Sequence, residues 1–121
     1  MPDSIYPNMT AEIAKQRREL VSAQYATFHD FSKQVFAAGA LDVKTKHLIA
    51  VAAAHITQCP YCIAGHTKAA LQTGASRRQI MEAIWIAAEM RAGPLTPTRR
   101  SRFAPWRKSK TPARIETRRG A

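Results

Sequence analysis

Only two of the 121 residues are cysteine, too few for the disulfide framework of a small secreted domain. No apolar run approaches the roughly 18 residues that cross a bilayer. The most apolar stretch, Leu48 to Ile56, is half that length and carries His55. The start has Asp3 and no apolar block behind a basic segment, so a secretory signal is not expected. With no sign of export, the expected compartment is the cytoplasm and no membrane partner is expected. Acidic residues are scarce, 8 against 19 Lys and Arg, for a net charge of +11. Convincing strand-like alternation and internal repeats are both missing. What remains is a chain with 45% hydrophobic residues, enough for one domain with a small core.

The charge is uneven. Residues 1–93 hold ten Lys or Arg and seven Asp or Glu, a balance of +3. Residues 94–121 hold nine Lys or Arg against Glu116 alone, a balance of +8, and four of the seven prolines. The chain therefore divides into a near-neutral body and a basic, Pro-broken tail expected to be irregular. The tail could contact phosphates through Arg99, Arg100, Arg102, Arg107, Lys108 and Lys110, and stack bases on Phe103 and Trp106. Nothing in the body resembles a recognition helix, so a specific nucleic-acid partner is not expected.

The body reads as all-α. Ile13, Leu20, Tyr25, Phe28, Phe31 and Val35 recur at helical spacing from Thr10 to about Ala38, with a break expected near the middle and Gly39 as the stop. Asp42 is the expected N-cap of a run from Val43 to about Thr57. Cys59-Pro60 opens a third helix, with proline at the first position, and this helix ends near Gly74. Ser76-Arg77-Arg78-Gln79 matches a capping box. The helix behind it should bury Ile80, Ala83, Ile84, Ala87 and Met90 on one side and stop at Gly93. Trp85 falls beside that stripe and should pack, within the chain or between subunits. His29, between Phe28 and Asp30, reads as structural.

Chemistry gathers around the third helix. Cys59-Pro60-Tyr61-Cys62 is a C-x-x-C pair, and His66 follows Cys62 by one helical turn. At helical spacing Cys62 lies about 60° and His66 about 20° from Cys59, so all three share a face. Cys59 would sit at the helix N-terminus, where free N–H groups and the dipole stabilise a thiolate. A pair so placed suits a reversible dithiol with His66 as a nearby base. Two other readings remain open: a metal site completed by His55 or His47, and a pair of buried structural thiols.

The runs Lys46-His47-Leu48-Ile49-Ala50 and His55-Ile56-Thr57-Gln58-Cys59-Pro60-Tyr61-Cys62-Ile63-Ala64-Gly65-His66-Thr67-Lys68 resemble the alkylhydroperoxidase-D-like branch of the carboxymuconolactone decarboxylase family. Ile80-Met81-Glu82-Ala83-Ile84-Trp85 and Glu89-Met90-Arg91-Ala92-Gly93 continue the likeness, which covers about residues 10–93. The resemblance implies an all-α, alkylhydroperoxidase-D-like helical fold assembled into homo-oligomers, trimers or hexamers. It also implies thiol-dependent peroxidase or disulfide-reductase chemistry, with no metal or other cofactor and with a dithiol as electron donor. Cys62 would meet the peroxide, Cys59 would resolve the sulfenic acid as a disulfide, and His66 matches the relay histidine. Two positions depart from the pattern. The relay glutamate, twelve residues before the first cysteine, is His47 here, and the histidine that can lie inside the C-x-x-C is Tyr61. An imidazole brings no negative charge to His66, so the relay must differ or be weakened. Glu82, Glu89 and His55 are candidate substitutes. The decarboxylases of the same family share the fold, but their catalysis does not rely on a C-x-x-C pair.

The resemblance stops at Gly93. Family members commonly continue there with a segment like Tyr-Ala-His-Ser and a further apolar helix. The codons TAC GCC CAC TCG, read one base later, give Thr-Pro-Thr-Arg, which is Thr96-Pro97-Thr98-Arg99 here. A shifted GC-rich frame also yields Arg, Pro and Ala. The tail therefore reads as a frame-shifted form of the family's last helix, with a genuine basic extension as the alternative.

Overall fold

The computed structural model describes residues 5–93; the expectations for the tail, 94–121, fall outside the described residues. Five helices follow one another, α1 (Ala11–Leu20), α2 (Ser22–Phe36), α3 (Val43–Thr57), α4 (Pro60–Gln72) and α5 (Arg77–Ala92), with no strand among the described residues.

Most boundaries follow local chemistry. The Asp42 carboxylate accepts the Thr45 N–H at 2.7 Å and caps α3. Hydrogen bonding to that amide and to the Thr45 side chain holds the Asp42 carboxyl below its ordinary range. Ser76 and Gln79 exchange both bonds of the capping box at α5. Behind α4, Gly74 adopts φ 96°, so the Gly74 N–H reaches Leu71 O and the Ala75 N–H reaches Ala70 O. That Schellman turn drops Ala75 into the core beside Ala70.

The first long run is two helices, with the expected break falling at Val21, whose φ of −139° and ψ of 49° interrupt the helical path. One expectation is corrected: the stop is not Gly39. Helix α2 ends at Phe36, where Ala37 turns extended, and the Lys46 ammonium binds the Val35 and Ala37 carbonyls. A cation reaching from α3 satisfies the helix end, so no glycine is needed there.

The core lies where α3 meets α4 and α5. Val51, Ala70, Ala75 and Ile80 are buried, with Leu48 and Ile84 packed against them. Ala54, Ala83 and Ala87 are buried too. Alanines at these positions let the helices approach closely, and a small cluster results. Met90 is corrected as well: it is 64% exposed, and Trp85 is 69% exposed. Phe28 and Phe31, on the apolar stripe of α2, are also exposed. No described helix is long and apolar enough to cross a membrane.

Candidate functional site

The turn between α3 and α4 places the cysteines. Gln58 takes a left-handed conformation, φ 55°, which a non-glycine residue adopts only at some cost. The turn lets the Cys59 N–H reach back to Ala54 O at 3.1 Å. From the far end of α5, Arg91 donates to Ile56 O at 3.1 Å and braces the same turn. Cys59 thereby becomes the N-cap of α4, its sulfur accepting the Cys62 N–H at 3.3 Å. Cys59 is half-buried and Cys62 exposed. Their sulfurs are bonded to each other, with Cα atoms 5.2 Å apart. Tyr61, between them, donates its hydroxyl proton to Pro7 O, and the Tyr6 ring meets it edge-on. The N-terminal segment thus lies against the C-x-x-C.

His66 and His47 come together. Their Nδ1 atoms are 3.2 Å apart, so the position that carries the family's relay carboxylate does reach His66, as an imidazole. The Phe36 ring stacks on both, 4.8 Å from His47 and 5.0 Å from His66. His55 turns away to its own helix, its Nδ1 at 2.7 Å from Val51 O. His29 stacks on Tyr25. The structure does not bring the two glutamates to His66. Glu82 pairs with Arg78 at 3.5 Å and is well exposed, and it shares an open groove with Trp85, Ile86 and Glu89.

Phe36, Lys46 and Arg91 have site roles that sequence reasoning missed. Each acts across the fold on a residue of another helix, and no local motif marks such a contact. Only the adjacency of Lys46 to His47 offered a hint.

Burial, and then the neighbouring His66, push the His47 pKa below its ordinary 6.5. The unfolded chain would bind a proton near pH 6.5, while folded His47 resists one. Stability should therefore be unaffected above that pH. It should fall as pH drops through 6.5 toward the folded value, then level off. We expect the Tm to decrease between pH 7.5 and 5.5, and His47→Gln to flatten that slope. A Tm that rises on acidification would contradict this account.

A match to the carboxymuconolactone decarboxylase family spans residues 22–99. The chain belongs to that family. It is 56% identical over 93 residues to "Uncharacterized protein 4 in cox locus" of Paracoccus denitrificans, covering 77% of this chain and 83% of that one. Among solved structures, a family member from Legionella pneumophila superposes with TM-score 0.61 at 33% identity, over 67% of this chain and 75% of that one. A Thermotoga maritima member described in connection with an antioxidative response gives TM-score 0.51 at 38% identity, over 53% and 66%. The family match begins inside the expected span of 10–93 and runs six residues past Gly93.

Proposed function

We propose that the protein is a thiol-dependent peroxidase or disulfide reductase, acting through Cys59 and Cys62 with His66 as the base. The observation that carries this reading is the sulfur–sulfur bond across the N-terminus of α4, one turn from a histidine held by a second histidine. The antioxidative description of the Thermotoga relative supports it. A Cys62 thiolate attacks a peroxide oxygen, the O–O bond breaks, and the leaving oxygen takes a proton. Cys62 becomes a sulfenic acid. The Cys59 sulfur displaces its hydroxyl as water and closes the disulfide. An external dithiol then returns two electrons by exchange, becoming a disulfide itself.

Phe28, Phe31, Trp85, Ile86 and Met90 are large apolar side chains left exposed on α2 and α5; covering them with a second copy would remove them from water, which supports a homo-oligomer. Counting free thiols before and after one equivalent of peroxide tests the redox reading. Two thiols should be lost, with a Cys59–Cys62 linkage found by mass spectrometry; unchanged thiols would refute it.

The relay offers a second test. His47 gives His66 an acceptor without a charge. His47→Glu should supply that charge at the same place and strengthen His66 as a base. Alkylation of Cys62 in the reduced protein should then quicken about tenfold near neutral pH. Equal or slower rates across pH 6–9 would mean that the carboxylate adds nothing here.

A further inference from the structure

We propose that Phe36 is a positioning residue whose ring clamps His47 and His66 into a pair that shares one proton, with His47 as the neutral acceptor. The inference rests on the reading of His66 as the base and says how that base is held. Two Nδ1 atoms at 3.2 Å need one proton between them: one nitrogen donates and the other offers its lone pair. When His66 donates, its Nδ1 carries hydrogen and its Nε2 is left free to accept a proton. His47 must then be the tautomer protonated at Nε2. His47 so performs the orienting half of a carboxylate's task, fixing the tautomer of His66, without supplying charge.

A proton taken by His66 turns the contact into a charge-assisted N–H···N bond, which is stronger than the neutral one. A second proton would set two N–H groups of two cations against each other, so the pair resists it. The burial that depresses His47 favours the same division.

Phe36 sets these terms. Its face lies nearly parallel to His47, at 10°, and at 25° to His66. One ring therefore stacks on both imidazoles at once. Its place is fixed by Lys46, whose ammonium binds the carbonyls of Val35 and Ala37 on either side of Phe36. Lys46 immediately precedes His47, so one stretch of α3 holds both the clamp and the clamped ring. The contacts to the pair are the Phe36 ring from α2 and the imidazoles' own mutual approach between α3 and α4; the Lys46 ammonium, next to His47 in sequence, is committed to the Val35 and Ala37 carbonyls, and Cys62 lies one turn before His66 on α4. Among the described residues no carboxylate forms an ion pair with either imidazole.

The test is a pH titration of the full chain, labelled with 15N-histidine and kept in the disulfide form, followed by long-range 1H–15N NMR. His47 and His66 should take up their first proton as a coupled unit, mainly on His66. The second should enter at least about one pH unit lower. Phe36→Leu should close that gap, and Phe36→Tyr should restore it. Lys46→Met should act like Phe36→Leu, a second route to the same answer if either variant folds poorly. Two independent histidine titrations in the wild type, or a gap unmoved by Phe36→Leu and Lys46→Met, would overturn the clamp. Because the disulfide form carries no thiol chemistry, the clamp can stand or fall separately from the function. If the pair titrates as one unit but alkylation of reduced Cys62 ignores that titration, the base assignment fails and the clamp survives.

Discussion

Cys62→Ser is expected to abolish peroxide consumption, reducing it to the rate of the buffer. Cys59→Ser is expected to permit one oxidation and then leave a sulfenic acid standing at Cys62. Position and access argue for different sulfurs. Cys59 caps α4 and receives an N–H from the first turn, so its thiolate is the better stabilised of the two. Cys62 is the exposed one. Attack on peroxide needs a thiolate that the oxidant can reach, which favours Cys62 with His66 one turn away. The stabilised Cys59 thiolate is better suited to leaving. When a dithiol attacks the exposed sulfur of Cys62, Cys59 departs as the lower-pKa thiol, and a low leaving-group pKa speeds exchange. In the proposed cycle a single arrangement would thus serve both halves. Trapping with a sulfenic-acid reagent, alongside peroxide consumption, checks it. If Cys59→Ser blocks the first oxidation and Cys62→Ser does not, the roles are reversed and N-terminal stabilisation outweighs access.

How far the sequence reached depended on the range of the interactions. Asp42, Ser76 with Gln79, and Cys59-Pro60 are signals complete within four residues, and the helices start where they indicate. The end of α2 was missed because Lys46, far along the chain, does the work expected of Gly39. The C-x-x-C and His66 share one helix, so their alignment was legible from spacing. The contact of His47 with His66 joins two helices, and only the family resemblance pointed to that position. Phe36 was not legible at all: a phenylalanine on an apolar stripe looks the same whether it packs in a core or on imidazoles. Glu82 and Glu89 had the right chemistry, but they lie on a face of α5 that carries Trp85 and Ile86 instead of the thiols. Met90 was expected inside because it continues the stripe of Ile80, Ala83 and Ala87, which is buried: helical periodicity marks an apolar side without saying whether the same chain covers all of it.

The coding DNA, read one base earlier from the Gly93 codon, is expected to give a Tyr-Ala-His-Ser-like segment followed by an apolar helical pattern. We propose that residues 94–121 are the out-of-frame product of that stretch. Trp85, Ile86 and Met90, exposed along α5, are the surface that a further apolar helix could cover. Removing about 100 Å² of such surface from water is worth on the order of 2.5 kcal/mol. For a domain of this size, that corresponds to a Tm higher by roughly 10 °C or more. A chain carrying the restored frame should therefore melt well above the chain with the basic tail. It should also elute as the larger assembly in gel filtration at equal concentration. The two measurements separate the causes. A higher Tm without larger assembly would mean that the restored segment packs on its own α5. A larger assembly with little change at low concentration would place it between subunits. If the earlier frame encodes no apolar helix, or if the restored chain melts no higher and assembles no further, the basic tail is a genuine extension and the exposed face of α5 is covered by something else.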